Sequence, residues 1–161
     1  MPMIGFMNLT GVNQGSIDGS SDLPEGTIEI YEFKHSVAIP RSGETGLPVG
    51  RRIHHDIKIC KETDKSTPKL FKALCDGEKL TTVEFSWFRP DGTPGGEKEK
   101  YYTVQLENAI ITRIKPYSPQ RLDLTKEGFK FMEEVSFAYE KIIWIWEPDG
   151  IEHEDLWVAP D

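Results

Sequence analysis

Apolar and polar side chains alternate with period two at Ile53, His55, Ile57 and Ile59, again at Val83, Phe85 and Trp87, and again at Tyr102, Val104 and Leu106. Successive residues of a β-strand point to opposite faces, so each run predicts a strand with one buried face. The chain is 161 residues long and 37% hydrophobic, which is enough for one core. We therefore expect a mainly β fold, a single domain over residues 1–161, with Ile57, Ile59, Val83, Phe85, Val104, Leu106 and Phe137 as its core.

The alternation changes phase between Ile28 and Ile30 on one side and Tyr31, Phe33, Val37 and Ile39 on the other. A one-residue slip would turn every following side chain to the other face, so a β-bulge near Tyr31 is predicted. From Val135 the chain runs through Phe137 and Tyr139 into Ile142, Ile143, Trp144, Ile145 and Trp146, apolar on both sides in its second half. Such a strand needs neighbours on both faces, either an internal helix or another subunit.

One segment has helical spacing. Thr67 offers a capping hydroxyl, Pro68 suits a first helical position, Leu70, Phe71 and Leu74 fall three and four apart, and Gly77 supplies a stop. This predicts about two turns, too short to stand alone and so packed over one end of the sheet. Two loops stand out: the long Gly- and Pro-rich segment from Pro40 to Arg51, which also carries Leu47 and Val49, and the enlarged hairpin from Arg89 to Glu99.

Acidic residues outnumber basic ones 27 to 19, for a net charge of −8, which argues against a phosphate-binding face and so against nucleic acid. Arg51 and Arg52 read as a solvated or ion-paired edge. The start, MPMIGFMNLTGVNQGS, lacks a basic region followed by an apolar run, so no cleaved signal peptide is expected, and no stretch has the apolar length for membrane insertion. Cys60 and Cys75 read as free thiols of a reducing cytoplasm.

Candidate chemistry is sparse. His54, His55 and Asp56 come nearest to a cluster, with His54 and Asp56 expected on one side of a strand and His55 among the apolar residues. Zinc needs three or four converging ligands, and His35 and His153 are remote in sequence, so no metal site is assigned and these read as ordinary hydrogen-bonded histidines. The carboxylate pairs Glu133 and Glu134, and Glu152 and Glu154, read as solvated. No nucleophile elbow, phosphate loop or dinucleotide motif occurs, so no catalytic residue and no cofactor are assigned. Trp144, Trp146 and Trp157 lie close together, and at least one of them suits a subunit contact.

The segments Arg52-Ile53-His54, Lys61 to Ala73 (KETDKSTPKLFKA), Val83 to Arg89 (VEFSWFR), Tyr101 to Ala109 (YYTVQLENA) and Glu134 to Trp146 (EVSFAYEKIIWIW) resemble, in order, the hemolysin-coregulated proteins (Hcp) of bacterial type VI secretion. The Gly- and Pro-rich hairpin 90–97 and the segment from Leu122 to Phe129 depart from that pattern. The resemblance implies a compact β-barrel of two sheets with one short α-helix at its side, and a structural role: a homo-hexamer whose rings stack into a secretion tube. It further implies sheath and spike components of the machine as partners, small effector proteins carried in the lumen, and export from the cytoplasm through that machinery. It places Arg41, Ser42, Glu44, Leu47, Val49 and Arg51 on an inter-subunit or inter-ring loop, and Lys69 and Lys72 on a lumen face. The residues taken alone leave open a free monomeric or small-oligomer binding module.

Overall fold

The structure is a computed structural model describing residues 4–22, 24–128 and 130–158. Part of the N-terminal segment read for a signal, Met1 to Met3, and Phe129 of the divergent 122–129 segment lie outside the described residues.

The strands follow in the order β1 (Gly5–Gly11), β2 (Gly15–Ile17), β3 (Ile28–Lys34), β4 (Val37–Ala38), β5 (Ile53–His54), β6 (Ile57–Glu62), then helix α1 (Thr67–Asp76), β7 (Leu80–Pro90), β8 (Lys98–Tyr117), β9 (Met132–Ala138), β10 (Lys141–Trp146) and β11 (Ile151–Leu156). Hydrogen bonding runs β8-β7-β1-β3-β6-β9 and returns from β9 to β8, so six strands close into a barrel. Closure removes the unpaired edges that an open sheet would expose. The expected barrel with one short helix is what forms.

The barrel interior is apolar. All seven residues expected in the core are buried to 1% exposure or less, joined by Met7, Ile17, Ile28, Leu80 and Val135. Phe85 meets Phe33 and Phe137 edge-on at centroid separations of 5.2 and 5.8 Å. Edge-to-face packing suits the ring quadrupole and holds three strands at fixed spacing. The predicted bulge is present: the β3–β6 register slips between Ile30 and Glu32, leaving Tyr31 facing outward.

Strand β8 serves two partners in turn. Its first half pairs with β10 through Tyr102 to Glu107, and its second half pairs with β9 from Ile110 onward. The strand divides at Asn108, which takes a left-handed φ of 50° and donates its side-chain amide to Glu140. Asparagine tolerates this conformation better than most residues. The continuous segment expected from Val135 to Trp146 is therefore two strands joined at the Tyr139-Glu140 corner. Strands β10 and β11 form a wing beside the barrel, with Ile142 fully buried, Ile143, Trp144 and Ile145 half-buried, and Trp146 36% exposed. The wing is thus only partly covered by the described residues, on both of its faces.

Helix α1 extends to Asp76, longer than its apolar spacing suggested. Its N-cap is Ser66 rather than Thr67, and Gly77 closes it in a left-handed conformation with φ 63°. Thr67 is drawn elsewhere: its hydroxyl accepts from the Asp64 amide at 3.1 Å and donates to Glu133 at 2.7 Å. Leu70 and Ala73 are its buried residues, packed towards β8, while Phe71 and Leu74 are half-buried. Below the helix start, Lys61 is fully buried and ion-paired with buried Glu133 and, at 3.2 Å, with Asp64. Glu133 is therefore not the solvated carboxylate its sequence context suggested; register pairs it across β6 and β9 with Lys61 inside the barrel. Burial opposes ionisation of Asp64, but hydrogen bonds from Ser66 and the Lys61 charge hold its carboxyl below the usual range.

Candidate functional site: a projecting arm and its anchor

The chain leaves the barrel at Lys34 and re-enters at Ile57; between them lies an arm. Strands β4 and β5 pair Val37 with His54 and Ala38 with Ile53, and further out Arg41 bridges Pro48. The segment expected to be a loop is thus an ordered hairpin. Ser42 accepts from the amides of Glu44 and Thr45 through its hydroxyl, and its own amide donates to Leu47 at 2.9 Å. Gly46 sits at the turn with φ 73°, where a side chain would be strained. The apolar residues of this arm point into solvent: Val37, Ile39, Leu47, Val49 and Ile53 are all exposed, Leu47 and Val49 at 64% each.

What fixes the arm is a polar and aromatic cluster at its root. His54 of β5 is fully buried, its Nε2 2.8 Å from Asp155 and its Nδ1 2.6 Å from the Tyr139 hydroxyl. Tyr139 also lies 2.8 Å from His35 Nε2. A neutral His54 ring donating from Nε2 to the Asp155 carboxylate leaves Nδ1 as acceptor. Tyr139 then donates to His54 and accepts from His35, so every donor in the chain points towards Asp155. Arg52 grips the same carboxylate through two bonds of 2.7 Å, and Trp144 and Trp157 stack along the His54 ring at 6.5 and 5.9 Å. Bidentate pairing of this kind fixes geometry as well as charge.

Electrostatics follow from this packing. The Arg52 bonds, with that from His54, hold the Asp155 carboxyl well below the usual range although partial burial opposes them. Burial pushes the Tyr139 phenol up and lowers His35 to about 4, with His54 and His55 adding to the latter effect. A cavity of about 640 Å³ opens beside the anchor, lined by Lys34, His35, His55, Lys58 and Trp157 among others.

The alternation predicts His55 among the apolar residues, and the structure reverses this. His54 is the buried histidine and His55 is exposed, because the chain passes from the arm to the barrel between Ile53 and Ile57 and the alternation does not carry across. The histidines called remote are also brought close: His35 reaches Tyr139, and His153 stacks on Trp144 at 5.9 Å. Among the described residues no group of three or more metal-ligating side chains is placed to hold an ion. Arg52 is ion-paired, as an edge arginine was expected to be. Cys60 and Cys75 are free. Lys69 and Lys72 are both exposed on α1, and Lys72 is paired with Asp76 at 2.7 Å.

Comparison with known proteins bears directly on this architecture. The family described as "Type VI secretion system effector, Hcp" matches residues 6–146. The "Major exported protein" of Pseudomonas aeruginosa is 37% identical over 166 aligned residues, covering 96% of this chain and 95% of that protein. The solved structure of the Hcp1 protein from an Escherichia coli pathovar superposes with a TM-score of 0.86 at 30% identity, covering 98% of this chain and 100% of that one. That of the secreted protein Hcp3 from Pseudomonas aeruginosa does so with a TM-score of 0.77 at 33% identity, over 98% and 100% of the two chains. With a barrel, helix and wing matched over nearly its whole length, the chain belongs to the Hcp family of type VI secretion system proteins.

Proposed function

We propose that this chain is the structural subunit of a type VI secretion tube: six copies close into a ring, rings stack, and the assembled protein is exported by the same machine, whose sheath and spike would be its partners. The observation that carries this reading is the arm. A segment pinned at its root by a bidentate ion pair, a hydrogen-bonded chain and two stacked tryptophans, yet exposing five large apolar residues, is held in place for a contact that the described residues do not make among themselves. The partly covered wing, with Trp146, Ile151 and Leu156 exposed, is a second region that a neighbouring copy would cover. A ring requires one patch to meet a different patch on the next copy, and these two regions differ.

Arg41, Ser42, Glu44, Leu47, Val49 and Arg51 are the proposed inter-subunit or inter-ring residues. Lys69 and Lys72 are proposed to face the lumen, where small effector proteins would be carried; the Asp76 partner of Lys72 leaves Lys69 the stronger cationic position. Electron micrographs of the purified protein test the reading. Six-fold rings with a central hole are expected, and particles of one-copy size at high concentration would overturn it.

A further inference from the structure

One row across the outer face of the barrel carries two anomalies. Strand register places Lys34 of β3 opposite Lys58 of β6, Lys58 opposite Ser136 of β9, and Ser136 opposite Arg113 of β8. Like charges directly opposite each other, as at Lys34 and Lys58, destabilise a sheet. Val135 and Phe137 fill the core at 0% exposure, so Ser136 between them turns outward. It is nevertheless only 2% exposed, and its hydroxyl meets no hydrogen-bond partner among the described residues. A buried hydroxyl left unsatisfied in a folded chain calls for a reason.

Only part of the charge in this row is answered within the chain. Lys34 pairs with Glu32 at 2.7 Å, and the Glu32 bond and charge, with a smaller addition from Glu134, hold its ammonium above the usual range. The Lys58 and Arg113 side chains are exposed and form no ion pair or hydrogen bond with the described residues. Two acids lie near the row. Asp56 already accepts from the Thr112 hydroxyl at 2.6 Å, and Glu134 belongs to the next row, opposite Cys60 and Lys115. Lys58 and Arg113 are two strand spacings apart, about 10 Å, so an ammonium and a guanidinium flank the buried hydroxyl from both sides. Lys58 also lines the cavity of about 640 Å³ beside the arm root, together with Lys34, Ser36, His55 and Trp157.

Three donor groups of different geometry need an acceptor with at least three oxygens. A carboxylate has two. A phosphoryl group has three, enough to accept from the Ser136 hydroxyl, from the planar fork of Arg113 and from the Lys58 ammonium, and its charge would separate Lys58 from Lys34. We propose that Lys58, Ser136 and Arg113 form a binding site for a phosphoryl oxyanion, taken as the free ion or as the end group of a molecule whose remainder enters the cavity. The site is built by one copy alone and stands apart from the tube reading.

Calorimetric titration of the purified protein tests it, at an ionic strength held constant with sodium chloride. Inorganic phosphate should bind saturably, at one site per chain. Lys58→Gln and Arg113→Gln should each weaken that binding roughly tenfold. Ser136→Ala should weaken it about threefold with no loss of thermal stability, because the hydroxyl gives up no bond within the chain. Lys79→Gln, at an exposed lysine outside the row, should leave binding unchanged. Glucose 6-phosphate distinguishes the sources: affinity above that of inorganic phosphate identifies an ester with its remainder in the cavity, and affinity at or below it identifies the free ion. Absence of saturable binding of both probes would overturn the site. Binding that persists when Lys58→Gln and Arg113→Gln are combined, or that Lys79→Gln weakens equally, would overturn it as diffuse counter-ion attraction.

Discussion

Ile57 and Ile59 on β6 are buried to 1% exposure or less, whereas Ile53, four residues before Ile57 on β5, is 49% exposed. The same side chain serves the barrel by leaving water and the arm by staying in it. The barrel is built from apolar pairs in register across closed strands, and its core is buried by the chain's own residues. The arm is built the other way: its apolar residues face out, and what orders it is the polar anchor of His54, Tyr139, Asp155 and Arg52. Burial therefore marks what folds the chain, and anchored exposure marks what is available to a partner.

The comparison breaks most visibly in the barrel. Phe85→Ala, at a fully buried ring that touches Phe33 and Phe137, should cost about 3–5 kcal/mol in equilibrium unfolding. A loss below about 1 kcal/mol would show that the core is assigned wrongly. Lys61→Met should cost about as much, roughly 3–5 kcal/mol, because Glu133 is then left buried without its charge partner. Its companion is informative: Lys61→Met with Glu133→Leu should recover most of the loss, since neither charge remains to be desolvated.

The arm root should respond less and in a different place. His54→Phe preserves the stacking on Trp144 and Trp157 but removes both hydrogen bonds, for a cost of about 2 kcal/mol. Amide exchange should quicken at residues 37–54 while the barrel strands stay protected; uniform loss of protection would mean that arm and barrel unfold as one unit.

How much of this was legible in the sequence depends on the range over which each feature is encoded. Period-two runs named the core strands, the phase change at Tyr31 named the bulge, and Pro68 with Gly77 bracketed the helix, because each is written within a few neighbouring residues. The anchor was not legible. His54 and Tyr139 are 85 residues apart, His54 and Asp155 101, and Lys61 and Glu133 72. Only strand order and barrel closure bring them together. The alternation also misled at His54 and His55, since one phase was carried through a junction between two separate sheets. The Gly and Pro residues of Pro40 to Arg51 marked the arm as a long loop, but its order and hairpin pairing were not legible.

Acid sharpens the contrast further. His35 is neutral in the folded chain down to a pKa of about 4, against 6.5 for the ordinary side chain. Between those values the unfolded chain binds more protons, so the contribution of His35 is complete above pH 6.5 and is lost as pH falls towards 4. With half-burial discounting the effect, the loss should be about 1 kcal/mol and should vanish in His35→Gln. Asp155 adds in the same direction at lower pH, since its carboxyl is held below the usual range and its pairing is lost on protonation. A pH-independent arm root, followed by exchange at residues 37–54, would contradict the burial of His35. Smallest of all in stability terms are the outward-facing arm residues: Leu47→Asp and Val49→Asp should each change unfolding by less than about 0.5 kcal/mol.

The most direct measurement is the assembly of a chain lacking Ser42 to Leu47, with its ends rejoined by a short glycine linker, set beside the intact protein by thermal unfolding and by particle mass. The intact chain should form six-copy rings that stack, and the shortened chain should melt at nearly the same temperature while its stacks disappear. Normal stacking by the shortened chain would contradict the assignment of the arm as the assembly element.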